Sequence, residues 1–183
     1  MGDDFMCLDD DFIKSDKLMQ DLSANHFNGM QWWDGWWATP PRNSHEEIIS
    51  LIWKDYPDIE TYRGFEYWSN ISNKNSSVSW HRDNDEAFRR KGGGKMIMSG
   101  LTSILYFINN DIKGGYLTIL NAKYDGKNGN EMSFIRNTME QGCYEKIKYK
   151  YNRLIKFNNS YIHCVSKILN DDVNDKRGAF LVS

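Results

Sequence analysis

The chain has 183 residues, 40% of them hydrophobic and 14% aromatic, which suits one globular domain with a substantial core. Its formal net charge of −2 offers no overall basic face and argues against a protein that grips nucleic acid through phosphates. The acidic N-terminus, Met-Gly-Asp-Asp-Phe-Met, lacks the charged-then-apolar layout of a signal peptide, and Met6 stands where a myristoylation motif wants Ser or Thr. No apolar run approaches membrane-spanning length. Cys7, Cys143 and Cys164 form an odd, widely spaced set without Cys-x-x-Cys, so a soluble, cytoplasmic protein in a reducing interior is expected.

In chain order, 9–14 reads as the end of a short strand and a turn, after which Ser15 caps a helix through Leu18, Met19 and Leu22. Trp32, Trp33, Trp36 and Trp37 flank a turn-forming Asp34-Gly35, either packing aromatics on a sheet or forming an apolar wall for a substrate. Ser44-His45-Glu46-Glu47 has the form of a capping box ahead of a helix carrying Ile48, Ile49, Leu51, Ile52 and Trp53. His45, in that polar first turn, is expected at the surface. From Tyr62 onward the character is β. Strands are expected over 65–68, 78–80, 96–98, 101–108, 115–120, 131–135, 147–151, 153–157, 161–165 and 178–182, with a polar loop over 70–77. So many short strands broken by Gly, Asn and Asp argue for an antiparallel sandwich or jelly roll, with the two N-terminal helices over one outer face.

The chemistry concentrates at Trp80-His81-Arg82-Asp83, where a strand runs out into the charged, glycine-rich stretch 84–95. Residues two apart on an extended backbone share a face, so His81 and Asp83 present an imidazole and a carboxylate to one point. His163, on the later strand, adds the second imidazole of a 2-His-1-carboxylate set, which leaves metal positions open. Arg177 opens an otherwise apolar terminal strand, and a charge there calls for a partner. Guanidinium is suited to holding a carboxylate through two parallel hydrogen bonds.

Taken in order, His81-x-Asp83, His163 and Arg177 resemble the 2-oxoglutarate/Fe(II)-dependent oxygenases, particularly the prolyl-4-hydroxylase-like branch. Ile104-Leu105-Tyr106-Phe107-Ile108-Asn109, followed by Gly114-Gly115-Tyr116-Leu117, is similar to that branch's Leu-Tyr-Leu-Asn … Gly-Gly signature. The stretch 153–165 is similar to its strand, Phe, turn, His, Val segment, and 9–22 to its approach to the first helix. The resemblance implies a single domain over 1–183, mainly β with N-terminal helices, folded as a double-stranded β-helix (jelly roll). It further implies Fe(II) held by His81, Asp83 and His163 at the catalytic centre, 2-oxoglutarate as cosubstrate with Arg177 on its far carboxylate, O2 as oxidant, and ascorbate as a further cofactor. Succinate and CO2 would leave as a substrate C–H bond is hydroxylated. The branch often places a Tyr on the distal carboxylate where this chain has Phe107. The second contact is therefore expected from Tyr106 beside it, or from Tyr67 on an earlier strand, with ordinary packing the alternative for both. The substrate class implied is a peptide or protein, a peptidyl proline first, or a small molecule, with neither nucleic acid nor membrane as partner. The stretch 84–95 is a lid over the substrate or a solvated connection.

Two other classes remain open on the residues alone. His81, Asp83 and His163 also suit zinc in a hydrolase, although no separate general base is evident and Arg177 has no role there. A non-catalytic jelly-roll binding module would use His163 as a core histidine and the tryptophans as a ligand platform.

Overall fold

The structure is a computed structural model that describes residues 6–27, 29–83, 100–124 and 130–183. Along the described chain the elements are β1 (Met6–Asp9), α1 (Asp16–Ala24), β2 (Gln31–Trp33), α2 (Ser44–Trp53), β3 (Phe65–Ser72), β4 (Val78–His81) and β5 (Leu101–Tyr106). They continue as β6 (Leu117–Lys123), α3 (Glu131–Glu140), β7 (Tyr144–Ile147), β8 (Leu154–Asn158), β9 (Tyr161–Val165) and β10 (Arg177–Val182). A six-stranded sheet in the order β1-β8-β5-β10-β3-β2 faces a four-stranded sheet in the order β4-β9-β6-β7. The strand pairs are antiparallel, giving the double-stranded β-helix, or jelly roll, that the strand pattern predicts.

Strand alternation builds three layers of core. Leu105, Phe107, Leu154, Phe180 and Val182 point to the outer face of the large sheet, where Leu22 of α1 and Ile48, Ile49, Ile52 and Trp53 of α2 cover them. Their neighbours Ile104, Tyr106, Ile155, Phe157 and Ala179 point inward and meet Leu117, Ile119, Ile147 and Val165 between the sheets. Leu105, Leu117 and Phe180 are fully buried, and each such side chain is worth roughly 1.5–3 kcal/mol over exposure. On the far side, Leu120 and Ile162 pack beneath Ile135 of α3.

Several local expectations change. The stretch 131–135 is helical rather than extended: Asn130 caps it by accepting from the Ser133 N–H at 2.8 Å. The apolar and half-buried side chains Phe134, Ile135, Thr138 and Met139 recur at helical spacing. The expected strand over 147–151 is shifted, because β7 ends at Ile147 and the chain leaves the sheet toward a turn with Asn152 at φ 58°. The polar loop starts later than expected, since β3 runs on through Asn70 to Ser72. Residues 96–98 and 84–95 lie outside the described residues. At α1, Ser15 caps as expected, accepting from the Leu18 N–H. At α2 the cap is Asn43 rather than Ser44; its Oδ1 accepts from the N–H groups of His45 and Glu46 at 3.0 and 3.1 Å.

His45 turns inward, contrary to the expected surface position, because its spacing from the apolar residues of α2 places it on their face. It lies on one stripe with Ile48, Ile49 and Ile52, 4% exposed, with its ring against Phe27 and Phe180. Burial pushes its pKa down. Glu46 follows it inward, fully buried, bridged by the Arg42 guanidinium and accepting from the Tyr67 hydroxyl at 3.1 Å. Burial alone would raise the Glu46 pKa, but the Arg42 and Tyr67 bonds win and hold it below the usual carboxylate value. A depressed folded pKa means stability that is present above the unfolded value of about 4.3 and is lost as pH falls through the folded one. Wild-type urea midpoints should therefore fall between pH 5 and pH 3 more steeply than those of Glu46→Gln; parallel profiles would remove this network from the stability account. No helix among the described residues is long and apolar enough to cross a membrane.

Candidate metal centre

β4 and β9 are antiparallel neighbours in which His81 and His163 stand directly opposite each other, with ring centroids 4.2 Å apart. Cross-strand partners share a face, and Asp83, two residues beyond His81, joins them where β4 ends. Asp83 Oδ1 lies 3.5 Å from His81 Nε2 and 3.7 Å from His163 Nε2. Those separations fit donors about 2.1 Å from one shared ion. Among the described residues this is the group of His, Cys, Asp and Glu side chains that converges closely enough to hold a metal.

The surroundings fix which atoms are offered. His81 Nδ1 lies 2.7 Å from the Ser79 carbonyl and His163 Nδ1 lies 3.2 Å from the Tyr161 carbonyl. A carbonyl only accepts, so each Nδ1 carries the proton and each Nε2 turns its lone pair toward Asp83. Burial pushes the His163 pKa down in spite of the nearby carboxylate, keeping a neutral imidazole at physiological pH. Burial acts against the charged form of His81 too, but the Asp83 carboxylate outweighs it and the net direction is up. For Asp83, burial favours the protonated acid, yet His81, His163 and Thr102 together hold its pKa below the ordinary value. Two nitrogen donors and one anionic oxygen suit a borderline divalent ion such as Fe(II), leaving positions open.

Asp83 is also held from outside the triad. Its N–H donates to Asn159 Oδ1 at 2.8 Å, its carbonyl accepts from Asn159 Nδ2, and its Oδ2 accepts from Thr102 Oγ1 at 2.9 Å. Asn159 belongs to the turn joining β8 to β9, so the strand that carries His163 also brings the clamp on Asp83.

Between the sheets, a cavity of about 160 Å³ has the triad at its wall and Arg177 among its lining residues. It is smaller than the ~300 Å³ at which pockets for drug-sized ligands begin, so it accommodates a small acid beside an ion. Arg177 is 3% exposed. Its Nη2 donates to the Tyr106 hydroxyl at 3.1 Å, and its guanidinium lies 4.8 Å from the Tyr106 ring centre and 5.9 Å from that of Tyr149. Its Nε has no hydrogen-bond partner, and among the described residues no carboxylate pairs with it. Gly115, at φ 58°, presses against this residue; a Cβ there would lie 3.5 Å from Arg177 Cδ and 3.1 Å from Ile112.

Of the residues singled out from sequence, His81, Asp83, His163 and Arg177 line one cavity, and Tyr106 reaches it through Arg177. Phe107 turns to the opposite core, against α1 and α2. Tyr67 does not join the site: strand alternation sends it to the helix-covered face, where it bonds Glu46, while Trp68 and Asn70 take the cavity side. Tyr67 is thus corrected from cosubstrate contact to core residue. The tryptophan cluster also lies elsewhere. Trp33 and Trp36 stack on Phe65, and the aromatic wall of the cavity comes from Trp68. Trp68, Asn70, Thr102, Tyr149 and Asn159 were not anticipated. Period-two counting from Phe65 would have found the first two, whereas Thr102 and Asn159 act through contacts that local sequence does not display.

No protein-family model matches the chain, and no curated protein is similar to it in sequence. Solved structures are similar in fold. A prolyl-4-hydroxylase from Pseudomonas putida superposes with a TM-score of 0.60 at 14% identity, over 97% of this chain and 84% of that one. HygX from Streptomyces hygroscopicus with iron bound gives a TM-score of 0.57 at 9% identity, over 97% and 80% of the two chains. The viral collagen prolyl hydroxylase of Paramecium Bursaria Chlorella virus-1, in complex with 2-oxoglutarate, gives 0.54 at 13% identity, over 97% and 94%. The fold is therefore that of the prolyl-4-hydroxylases and other 2-oxoglutarate/Fe(II) oxygenases, and in this chain it carries a His81-x-Asp83 … His163 triad.

Proposed function

We propose that the protein is an Fe(II)- and 2-oxoglutarate-dependent dioxygenase that hydroxylates a substrate C–H bond. The observation that carries this reading is the buried Arg177 guanidinium, unpaired by any described carboxylate, lining the same small cavity as a metal-binding triad. A buried cation is costly without a counter-charge, and a small dicarboxylate supplies one while its other end reaches the triad. His81, Asp83 and His163 would hold the iron, whose chemistry is to couple oxidative decarboxylation of 2-oxoglutarate, giving succinate and CO2, to insertion of one oxygen atom of O2 into the C–H bond.

The chain's own residues do the rest. The protons held on both Nδ1 atoms keep the Nε2 lone pairs directed inward. Arg177 and Tyr106 orient the distal carboxylate, with the Tyr106 hydroxyl, already accepting from Arg177, free to donate onward. Trp68, Ile104, Leu117 and Leu181 wall the cavity with apolar surface and exclude water from it.

A zinc hydrolase fits less well. Among the described residues, the ionisable groups lining the cavity are the triad and Arg177, and none of them is a spare general base for water. A peptide is the substrate class favoured, a peptidyl proline first, because two of the similar structures are prolyl hydroxylases; a small molecule is the second reading. Ascorbate would serve as an accessory reductant. The free cysteines Cys7, Cys143 and Cys164 support an intracellular setting.

The test is an anaerobic visible spectrum of the Fe(II)-loaded protein before and after 2-oxoglutarate is added. A weak charge-transfer band from the chelated keto acid is expected. Its absence in a protein that binds zinc in preference would bring the hydrolase reading forward.

A further inference from the structure

Asp83 is the one member of the triad with two chemically equivalent donor atoms, and the two face different surroundings. Oδ1 lies 3.5 and 3.7 Å from the two imidazole Nε2 atoms, whereas Oδ2 is 2.9 Å from Thr102 Oγ1. An ionised carboxylate only accepts, so the hydroxyl is the donor and the bond has one direction. Thr102 is completely buried on β5, the strand whose Ile104 lines the cavity. The Asp83 backbone has no freedom to compensate, because the Asn159 side chain holds both its N–H and its carbonyl. What remains is rotation about the terminal torsion of the aspartate, which is broad and two-fold. Unrestrained, that rotation exchanges the two oxygens or lays both against an ion.

The geometry points to Thr102 as a positioning residue that reserves Oδ2 and limits Asp83 to a single ligand oxygen. This inference rests on the iron and 2-oxoglutarate reading above and deepens it. A carboxylate bound through both oxygens fills one more position around the ion, and a chelating keto acid needs two positions itself. The hydroxyl of Thr102 thereby keeps room for the cosubstrate without touching it. A purely structural role, a buried hydroxyl that has found an acceptor, predicts an effect on folding stability and none on coordination.

The test compares wild type, Thr102→Val and Thr102→Ser, each loaded with Co(II), whose visible absorption reports coordination number, and titrated anaerobically with 2-oxoglutarate. Thr102→Val keeps the shape and removes the donor. It is expected to bind Co(II) with an altered visible spectrum and to bind 2-oxoglutarate roughly 10- to 100-fold more weakly, the range typical when an outer partner of a metal ligand is lost. Thr102→Ser restores the donor and is expected to return both readouts to wild type. Thr102→Ala provides the same comparison if the valine protein does not fold. An unaltered spectrum and affinity in the donor-less variant overturns the inference, and so does a serine variant that behaves like valine. A wild-type protein that takes up Co(II) but never binds 2-oxoglutarate brings down the underlying reading, and is recognised before any substitution is made.

Discussion

Asp83→Ala is expected to abolish metal binding and turnover together while leaving the protein folded. Asp83 supplies the only anionic donor of the triad, and both imidazoles are oriented toward its Oδ1. Without it two neutral nitrogens remain, and the loss should exceed the ~10–100-fold that removing an outer partner costs. The folded state is expected to tolerate the change. Burial works against the Asp83 carboxylate, but His81, His163 and Thr102 outweigh it, so its removal costs the ion-free protein some stability while the buried core between the sheets stays intact. The backbone bonds to Asn159 do not involve the lost side chain. Calorimetric titration with Fe(II) under anaerobic conditions, paired with a thermal melt of the apoprotein, checks both halves. An alanine variant that still turns over would remove Asp83 from the centre.

Arg177→Met is expected to separate the cosubstrate from the metal. Methionine keeps much of the length and the apolar contact with Tyr106 and Tyr149 but carries no charge. Losing one partner of a buried charged pair costs about 2–5 kcal/mol, or roughly 30- to several-thousand-fold in 2-oxoglutarate affinity. Arg177→Lys should recover only part of this, since an ammonium is a point charge without the planar fork that grips a carboxylate. Metal affinity should stay at the wild-type level in both, because the guanidinium contacts none of the three ligands. Quenching of tryptophan fluorescence by 2-oxoglutarate in the Ni(II)-loaded protein measures this directly, with Trp68 in the cavity wall as reporter. Equal affinities across the three proteins would move the carboxylate anchor elsewhere.

The triad was legible in the sequence because strand geometry is local. His81 and Asp83 share a face by simple alternation, and a histidine in a strand flanked by apolar residues, as His163 is, has few reasons to be there without a task. Arg177 was legible for the opposite reason, as a charge that its apolar strand does not explain. The failures follow from the same physics. Alternation is only as good as its starting point, and ending β3 too early hid Asn70 behind a loop and left Tyr67 as a candidate although its face belongs to the helices. His45 was misplaced because its polar first-turn neighbours suggested solvent, whereas its spacing of three, four and seven residues from Ile48, Ile49 and Ile52 puts it on their buried stripe. The stretch from Glu131 is short and weakly apolar, so neither period dominated until Asn130 capped it as a helix. Thr102 and Asn159 were out of reach, since their partner lies 19 and 76 residues away and nothing in their own surroundings announces it.

The position of β4 gives the metal proposed for the triad a second consequence. Among the described strands β4 forms the rim of the smaller sheet, paired to β9 through Val78 opposite Val165 and His81 opposite His163. An ion gripping both rings and Asp83 is a cross-link between the rim and its neighbour, tying residues 82 positions apart in the chain without a covalent bond. Binding only to the native arrangement, it would add about 2.7 kcal/mol once its free concentration stands a hundredfold above its dissociation constant. The iron proposed for this site would thus stabilise the folded chain as well as supply its chemistry, and proteolysis of the iron-loaded protein is expected to be slower than that of the apoprotein.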